Sequence, residues 1–254
     1  MKSKLVILLF VVSFLIGVTS CKKDIQSCKL GKSYISDGNN TPLPNTFSYY
    51  ENGKLKSIIY SNNEHDTLYY VADTLTVTHF DYRDSVAFIV KGIVDANGNL
   101  LSASKTTFDY TGVVTDSETW TNEYNSDGRM TKQTVNNTLG TTNLVVNYSG
   151  SNSVSANFYR GVILEKKYFF YHNAVANKTG LDDFNNIFTP YLGKPSANLL
   201  DSVHMVLTAT FDTVKIKYDH TLDANEYVGK TVQTYLTPGF QTKYYTYQYF
   251  GCSN

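Results

Sequence analysis

YYENGKLKSIIY (Tyr49–Tyr60), GIVDANGNLLSAS (Gly92–Ser104) and NEYNSDGRMTKQT (Asn122–Thr134) are three versions of one pattern. In each, an aromatic or aliphatic run enters a turn and Leu or Met opens the return run. Asn52-Gly53, Asn97-Gly98 and Asp127-Gly128 stand between. Such dipeptides accept the positive φ angles of a two-residue type I′ turn, so the pattern predicts β-hairpins. The copies recur at an irregular spacing of roughly 30 to 45 residues, as a degenerate repeat.

The rest of the chain continues the theme. Tyrosine (21 residues) and phenylalanine (14) are abundant and proline (5) is scarce, a strand composition. Val214-Lys215-Ile216-Lys217-Tyr218-Asp219 places Val, Ile and Tyr on one face and charges on the other. Met205, Leu207, Ala209 and Phe211 alternate in the same way, as do Tyr245, Tyr247 and Tyr249. One-sided strands of this kind belong to antiparallel sheets with one wet face. The expected fold is therefore all-β, a large twisted antiparallel meander forming an open or partly closed barrel. Residues 46–254 make up the single β domain. Near residues 180–203 the alternation lapses, and a crossing loop is expected there, with a short helix capped by Ser196. Such a loop is either functional or a plug over the barrel end.

The amino terminus has a different character. Lys2 and Lys4 precede an apolar run from Leu5 to Val18, roughly fourteen residues, short for a membrane span and suited to a signal-peptide core. Val18-Thr19-Ser20-Cys21 resembles a lipobox: an aliphatic residue, two small ones, then a cysteine whose thiol takes diacylglycerol. Residues 1–20 are expected to be removed, Cys21 to carry lipid, and 21–45 to serve as anchor and linker. Two or three acyl chains, each gaining ~0.8 kcal/mol per buried CH₂, make a stable tether to the membrane.

Charge and cysteine usage narrow the partners. Basic and acidic residues balance at 22 each. No long basic run or basic face is evident, which argues against nucleic acid. With Cys21 acylated, Cys28 and Cys252 remain, and an even remainder in an oxidising compartment suggests a disulfide, the alternative being two free thiols.

Signatures of catalysis are sparse. The five histidines are scattered; HExxH, CxxC, calcium-loop, phosphate-loop and GxSxG patterns are absent, so no cofactor, metal or catalytic residue is assigned. His79 and Asp81 are expected to share a strand face, and Glu118 and Glu123 to lie on a wet one. Asp182-Asp183 is the best acidic pair, read either as a site or as a helix N-terminus. Aromatics allow a binding role. Trp120, Tyr245, Tyr247 and Tyr249 could stack on sugar rings or meet a protein, or instead stiffen the sheet as cross-strand pairs. LEKKYFFY (Leu164–Tyr171) also places aromatics on both faces.

YNSDGRMTKQT (Tyr124–Thr134) resembles the YD-type unit of hairpin-repeat proteins. Together with the lipobox, LDDFNNIF (181–188), YLGKPSANLLDSV (191–203) and the tyrosine-rich end, it is similar to a group of Bacteroidetes-type lipoproteins. That group is a domain-of-unknown-function family with a porin-like, open-barrel β fold. The resemblance implies a fold and an outer-membrane envelope location, and carries no activity or functional residues. Asp-hydroxyl-aliphatic triplets at Thr67, Thr74, Ser85, Ser202 and Thr213 look like the O-glycosylation acceptor of that lineage, or else are turn aspartates entering Thr/Val strands.

Two readings of function compete. One is a non-catalytic binding or accessory module for a glycan or protein ligand; a structural envelope component shares its features. The other is a polymer-acting hydrolase using carboxylates that no motif marks.

Overall fold

The computed structural model describes residues 29–36, 44–178 and 194–250. Leu30–Gln248 form one compact unit. Met1–Lys29 with Tyr249–Asn254 form a second, of which Lys29, Tyr249 and Phe250 are among the described residues. Those residues contain sixteen strands and no helix. The first six are β1 (Lys29–Ser36), β2 (Pro44–Tyr49), β3 (Leu55–Ile59), β4 (His65–Val71), β5 (Thr74–Phe80) and β6 (Val86–Val94). Then come β7 (Leu100–Phe108), β8 (Val114–Tyr124), β9 (Met130–Asn137), β10 (Gly140–Ser149) and β11 (Asn152–Arg160). The last five are β12 (Ile163–Ala176), β13 (Asn198–Leu207), β14 (Thr213–Leu222), β15 (Val228–Tyr235) and β16 (Lys243–Phe250).

Each strand pairs antiparallel with its sequence neighbours, and β1 also hydrogen-bonds to β16, so the sheet closes into a barrel. The meander is as predicted; the open or partly closed barrel is corrected to a closed one. The correction has a physical source. Residues 29–36 and 44–45, read as linker, are β1 and the start of β2. They satisfy two strand edges that would otherwise lie bare.

The hairpin turns depart from type I′. In Asp95–Asn99 the Gly98 amide donates to the Asp95 carbonyl (3.0 Å) and the Asp95 amide to the Asn99 carbonyl (2.9 Å). Gly98 takes φ +85° and Asn97 has no positive φ, which makes a three-residue loop ending in a left-handed residue. Turns 50–54, 60–64, 81–85, 109–113, 125–129 and 223–227 share this scheme. In five of these seven turns the first residue, an Asp or Asn, holds the scheme. Asp95 Oδ1 accepts from the amides of Asn97 and Asn99, both at 2.8 Å. Asp81, Asp109, Asn125 and Asp223 do the same. Such bonds hold a type I turn.

Register separates the two faces. Leu68 lies opposite Val77, Val77 opposite Val90, Gly92 opposite Ala103, and Ala103 opposite Trp120. In a closed sheet, inward side chains converge and cover one another, and the buried residues fall on this face. They form two clusters. One joins Ile58, Leu75, Val90 and Leu100; the other joins Met130, Ala156, Phe170 and Val203. The outward face of β8 is Thr115, Ser117, Thr119, Thr121 and Glu123, all exposed. A lipid-facing strand carries apolar residues on its outward side; β8 carries none there, while Tyr69 and Val71 on β4 and Ile93 on β6 are exposed apolar residues.

The crossing near 180–203 falls partly on 179–193, outside the described residues, as does Asp182-Asp183. Ser196 caps no helix: its hydroxyl accepts from the Ser153 amide at 3.0 Å, and Asn198 already begins β13.

Candidate functional site

Asp66 is 3 % exposed on the inward face of β4. The Tyr60 hydroxyl donates to Oδ2 at 2.6 Å, and His79, opposite Asp66 on β5, meets Oδ1 through Nδ1 at 2.7 Å. His79 Nε2 lies 3.8 Å from the Glu64 carboxylate, and its ring stacks on Phe88 at 4.5 Å. Lys105 Nζ sits over Phe88 at 4.8 Å and reaches Glu118 at 3.6 Å. Burial and the Asp66 carboxylate push the Tyr60 hydroxyl far above the ordinary tyrosine range. A carboxylate that orients a histidine is general-base geometry. Here, however, both Asp66 oxygens are satisfied within the wall. Among the described residues, no Ser, Thr or Cys side chain hydrogen-bonds to Nε2. The knot ties β3, β4 and β5 together. His79 and Asp81 do not act as a pair, since Asp81 opens the next turn.

A second inward network crosses β13–β16. The Leu200 carbonyl accepts from His220 Nε2 at 2.7 Å, so Nδ1 accepts from the Thr231 hydroxyl at 2.9 Å. Burial holds the His220 pKa below the usual histidine value. The Tyr245 hydroxyl donates to Gln233 Oε1 at 2.7 Å. Tyr245 is thus buried, and Trp120 packs against the first apolar cluster. Both face inward, the placement of residues that stiffen the sheet rather than of exposed stacking platforms. Tyr247 and Tyr249 are half-buried in β16. Glu118 faces inward with Lys105, whereas Glu123 lies outward with Lys132 at 3.0 Å.

Exposed strand aromatics include Tyr69 on β4, Tyr244 and Phe250 on β16, and a pair on β12. Phe169 (40 % exposed) and Tyr171 (48 %) are successive outward residues of β12. His204 stands opposite Phe169, and its ring lies 4.9 Å from that of Tyr171. Around them the register collects four lysines from three strands. Lys167 is on β12; Lys215, opposite His204, and Lys217, opposite Ser202, are on β14; Lys230 is on β15, opposite Thr221. All four are exposed. Lys217 pairs with Asp219 at 3.1 Å, and Asp201 lies near it. The expectation of no basic face is corrected: the face exists, assembled across strands from residues far apart in sequence.

Of the glycosylation candidates, Thr67, Thr74, Ser202 and Thr213 share the outward face, and Ser85 ends a turn. Cys21, Cys28 and Cys252 lie outside the described residues. Among the described residues no group of three or more His, Cys, Asp or Glu gathers as metal ligands.

The two rims differ. Turns at the rim where β1 begins are polar, such as 95–99 and 125–129. The opposite rim carries apolar tips on successive hairpins: Tyr110 (74 % exposed), Leu139, Val162, Phe211 and Phe240.

No protein-family model matches the chain, and neither does any curated protein. Solved structures do. A porin-like protein from Bacteroides uniformis superposes with a TM-score of 0.65 at 14% identity, covering 87% of this chain and 97% of that one. A porin-like protein from Bacteroides vulgatus gives 0.60 at 12% identity, covering 87% and 98%. At these identities the likeness is one of fold: a porin-like β-barrel.

Proposed function

We propose that this chain is an envelope protein of the outer membrane, tethered through lipid on Cys21, and that it serves as a non-catalytic binding or accessory module for a glycan or protein ligand. The reading rests on one observation above all. The inward face is packed with apolar side chains and satisfied polar knots, while the outward face mixes hydroxyl, amide and lysine side chains with separate exposed apolar ones such as Tyr69, Val71 and Ile93. A wall of that kind stands in water and needs a separate tether, and it offers its ligand the outside of the barrel. The porin-like neighbours support an envelope setting. The test is palmitate labelling in a Gram-negative host with the native leader, together with fractionation. Label in the wild type and its loss in Cys21→Ala are expected; an unlabelled, soluble wild type overturns the tether.

The apolar rim favours a second reading, with a protein partner as the ligand. Exposed apolar side chains grouped on one end mark an interaction surface more often than scattered ones do. Crosslinking in the native envelope would trap a partner at Val162 and Phe211 under this reading, and at the β12–β15 wall under the glycan reading.

A further inference from the structure

We infer that the outward wall of β12–β15 is a binding surface for an anionic polysaccharide, the aromatic pair taking sugar rings and the surrounding lysines taking carboxylate or sulfate groups. This rests on the binding-module reading above and names its site and ligand class.

Successive outward residues of a strand lie roughly 7 Å apart. Phe169 and Tyr171 therefore present two rings along one line, half of each open to solvent. The C–H faces of pyranose rings stack on such surfaces. The His204 ring beside Tyr171 adds a polar edge at the same level.

Charge selects the class of sugar. Lys167, Lys215 and Lys230 form no ion pair among the described residues, and Lys217 shares Asp219. Elsewhere exposed outward lysines are sparser, Lys32 on β1 and Lys91 on β6 among them. On β8 the outward face is threonine and serine, and its Glu123 is matched by Lys132. Lysine is thus concentrated around the β12 aromatics, on a chain whose total charge is zero. Other acidic groups nearby are committed: Glu165 on β12 to Arg160 at 2.8 Å, and Glu226 to Lys178.

Position argues against the two other anionic partners. The patch lies within the strands and away from their ends, so it is not where a barrel standing on its rim would meet lipid head groups. Nucleic-acid domains carry a strong basic excess, and this chain has equal numbers of basic and acidic residues.

The experiment uses the full chain, purified from membranes in detergent, with four probes: polygalacturonate, chondroitin sulfate, neutral dextran and single-stranded DNA. Vesicles of phosphatidylglycerol are a fifth arm. Binding to polygalacturonate, chondroitin sulfate or both, and not to dextran, is expected, and it should weaken in 1 M salt. The triple variant Lys167→Gln/Lys215→Gln/Lys230→Gln should raise the dissociation constant about tenfold, since each exposed charge pair contributes a few-fold. Phe169→Ala/Tyr171→Ala should weaken binding at unchanged salt dependence. Lys91→Gln, an exposed charge on the outward face of β6, should leave it intact. Retained thermal unfolding transitions establish that the variants fold.

Binding unmoved by these variants overturns the inference. So does binding confined to DNA or to vesicles. Dextran binding that depends on Phe169 and Tyr171 overturns the anionic class and leaves the binding-module reading standing. Failure to bind any probe, with the wild type folded, overturns the polysaccharide inference alone; the module reading then stands or falls on the partner crosslinking at the rim.

Discussion

Phe211 takes φ +58°, a left-handed conformation for a bulky side chain that is 84 % exposed at the tip of the β13–β14 turn. Such a conformation costs of order 1–3 kcal/mol, and glycine avoids it at an unfolded-state entropy cost below 1. Phe211→Gly is therefore expected to stabilise by about 1 kcal/mol, read as a Tm rise of roughly 2–4 °C. An unchanged or lower Tm would show that the ring earns its place through a contact. His220 gives a pH signature of definite sign. Its folded-state pKa is lowered by burial, so on acidification the unfolded chain takes up the proton first. Stability is full above pH ~6.5 and falls as pH drops below it. Urea midpoints between pH 7 and 5 should decline in the wild type and decline less in His220→Gln; equal slopes sink the assignment. Tyr49 acts in the opposite sense, its hydroxyl pushed up to about 12 by burial. The folded chain keeps that proton, so stability is lost as pH rises from ~10 toward 12.

The hairpin is the unit that repeats, and its glycines were legible in the sequence. Its turn type was not, because in five of the seven turns the deciding bonds come from an Asp or Asn three residues before the left-handed position, a signal separate from the Gly dipeptide. Asn125→Ala should cost about 1 kcal/mol by freeing the amides of Asp127 and Arg129. Within β6, Gly92 marks a close approach. A Cβ there would stand 2.3 Å from Leu100 Cδ1 and 3.1 Å from the Ser102 carbonyl. Leu100 is 1 % exposed and has little room to move. Gly92→Ala should destabilise by about 1–3 kcal/mol in chemical denaturation, and Leu100→Ala in the same chain should recover part of that loss. A neutral Gly92→Ala would contradict the packing.

Closure belongs to the whole molecule, since it requires strands from the two ends of the chain to meet. Cys28 immediately precedes β1 and Cys252 follows β16 by two residues, and β1 and β16 are the strands whose pairing closes the barrel. We expect a disulfide between them: thiol labelling of unreduced protein should find no reactive cysteine. Reduction should lower stability by up to ~5 kcal/mol in the chain-entropy model, and two labelled thiols would remove the bridge. What the sequence determined by itself was local: alternation with a period of two, glycine-ended turns, and hence an antiparallel meander, all set by neighbours a few residues apart. The placement of groups far apart in the chain came from closure of the sheet. Residues 29–36 became a closing strand, Trp120 and Tyr245 turned inward, and lysines of three strands came to surround Phe169 and Tyr171. The physical reason is that alternation sorts side chains into two faces without saying which face is concave. Only the closed sheet makes one of them converge and bury its residues, leaving the other for water and for ligands.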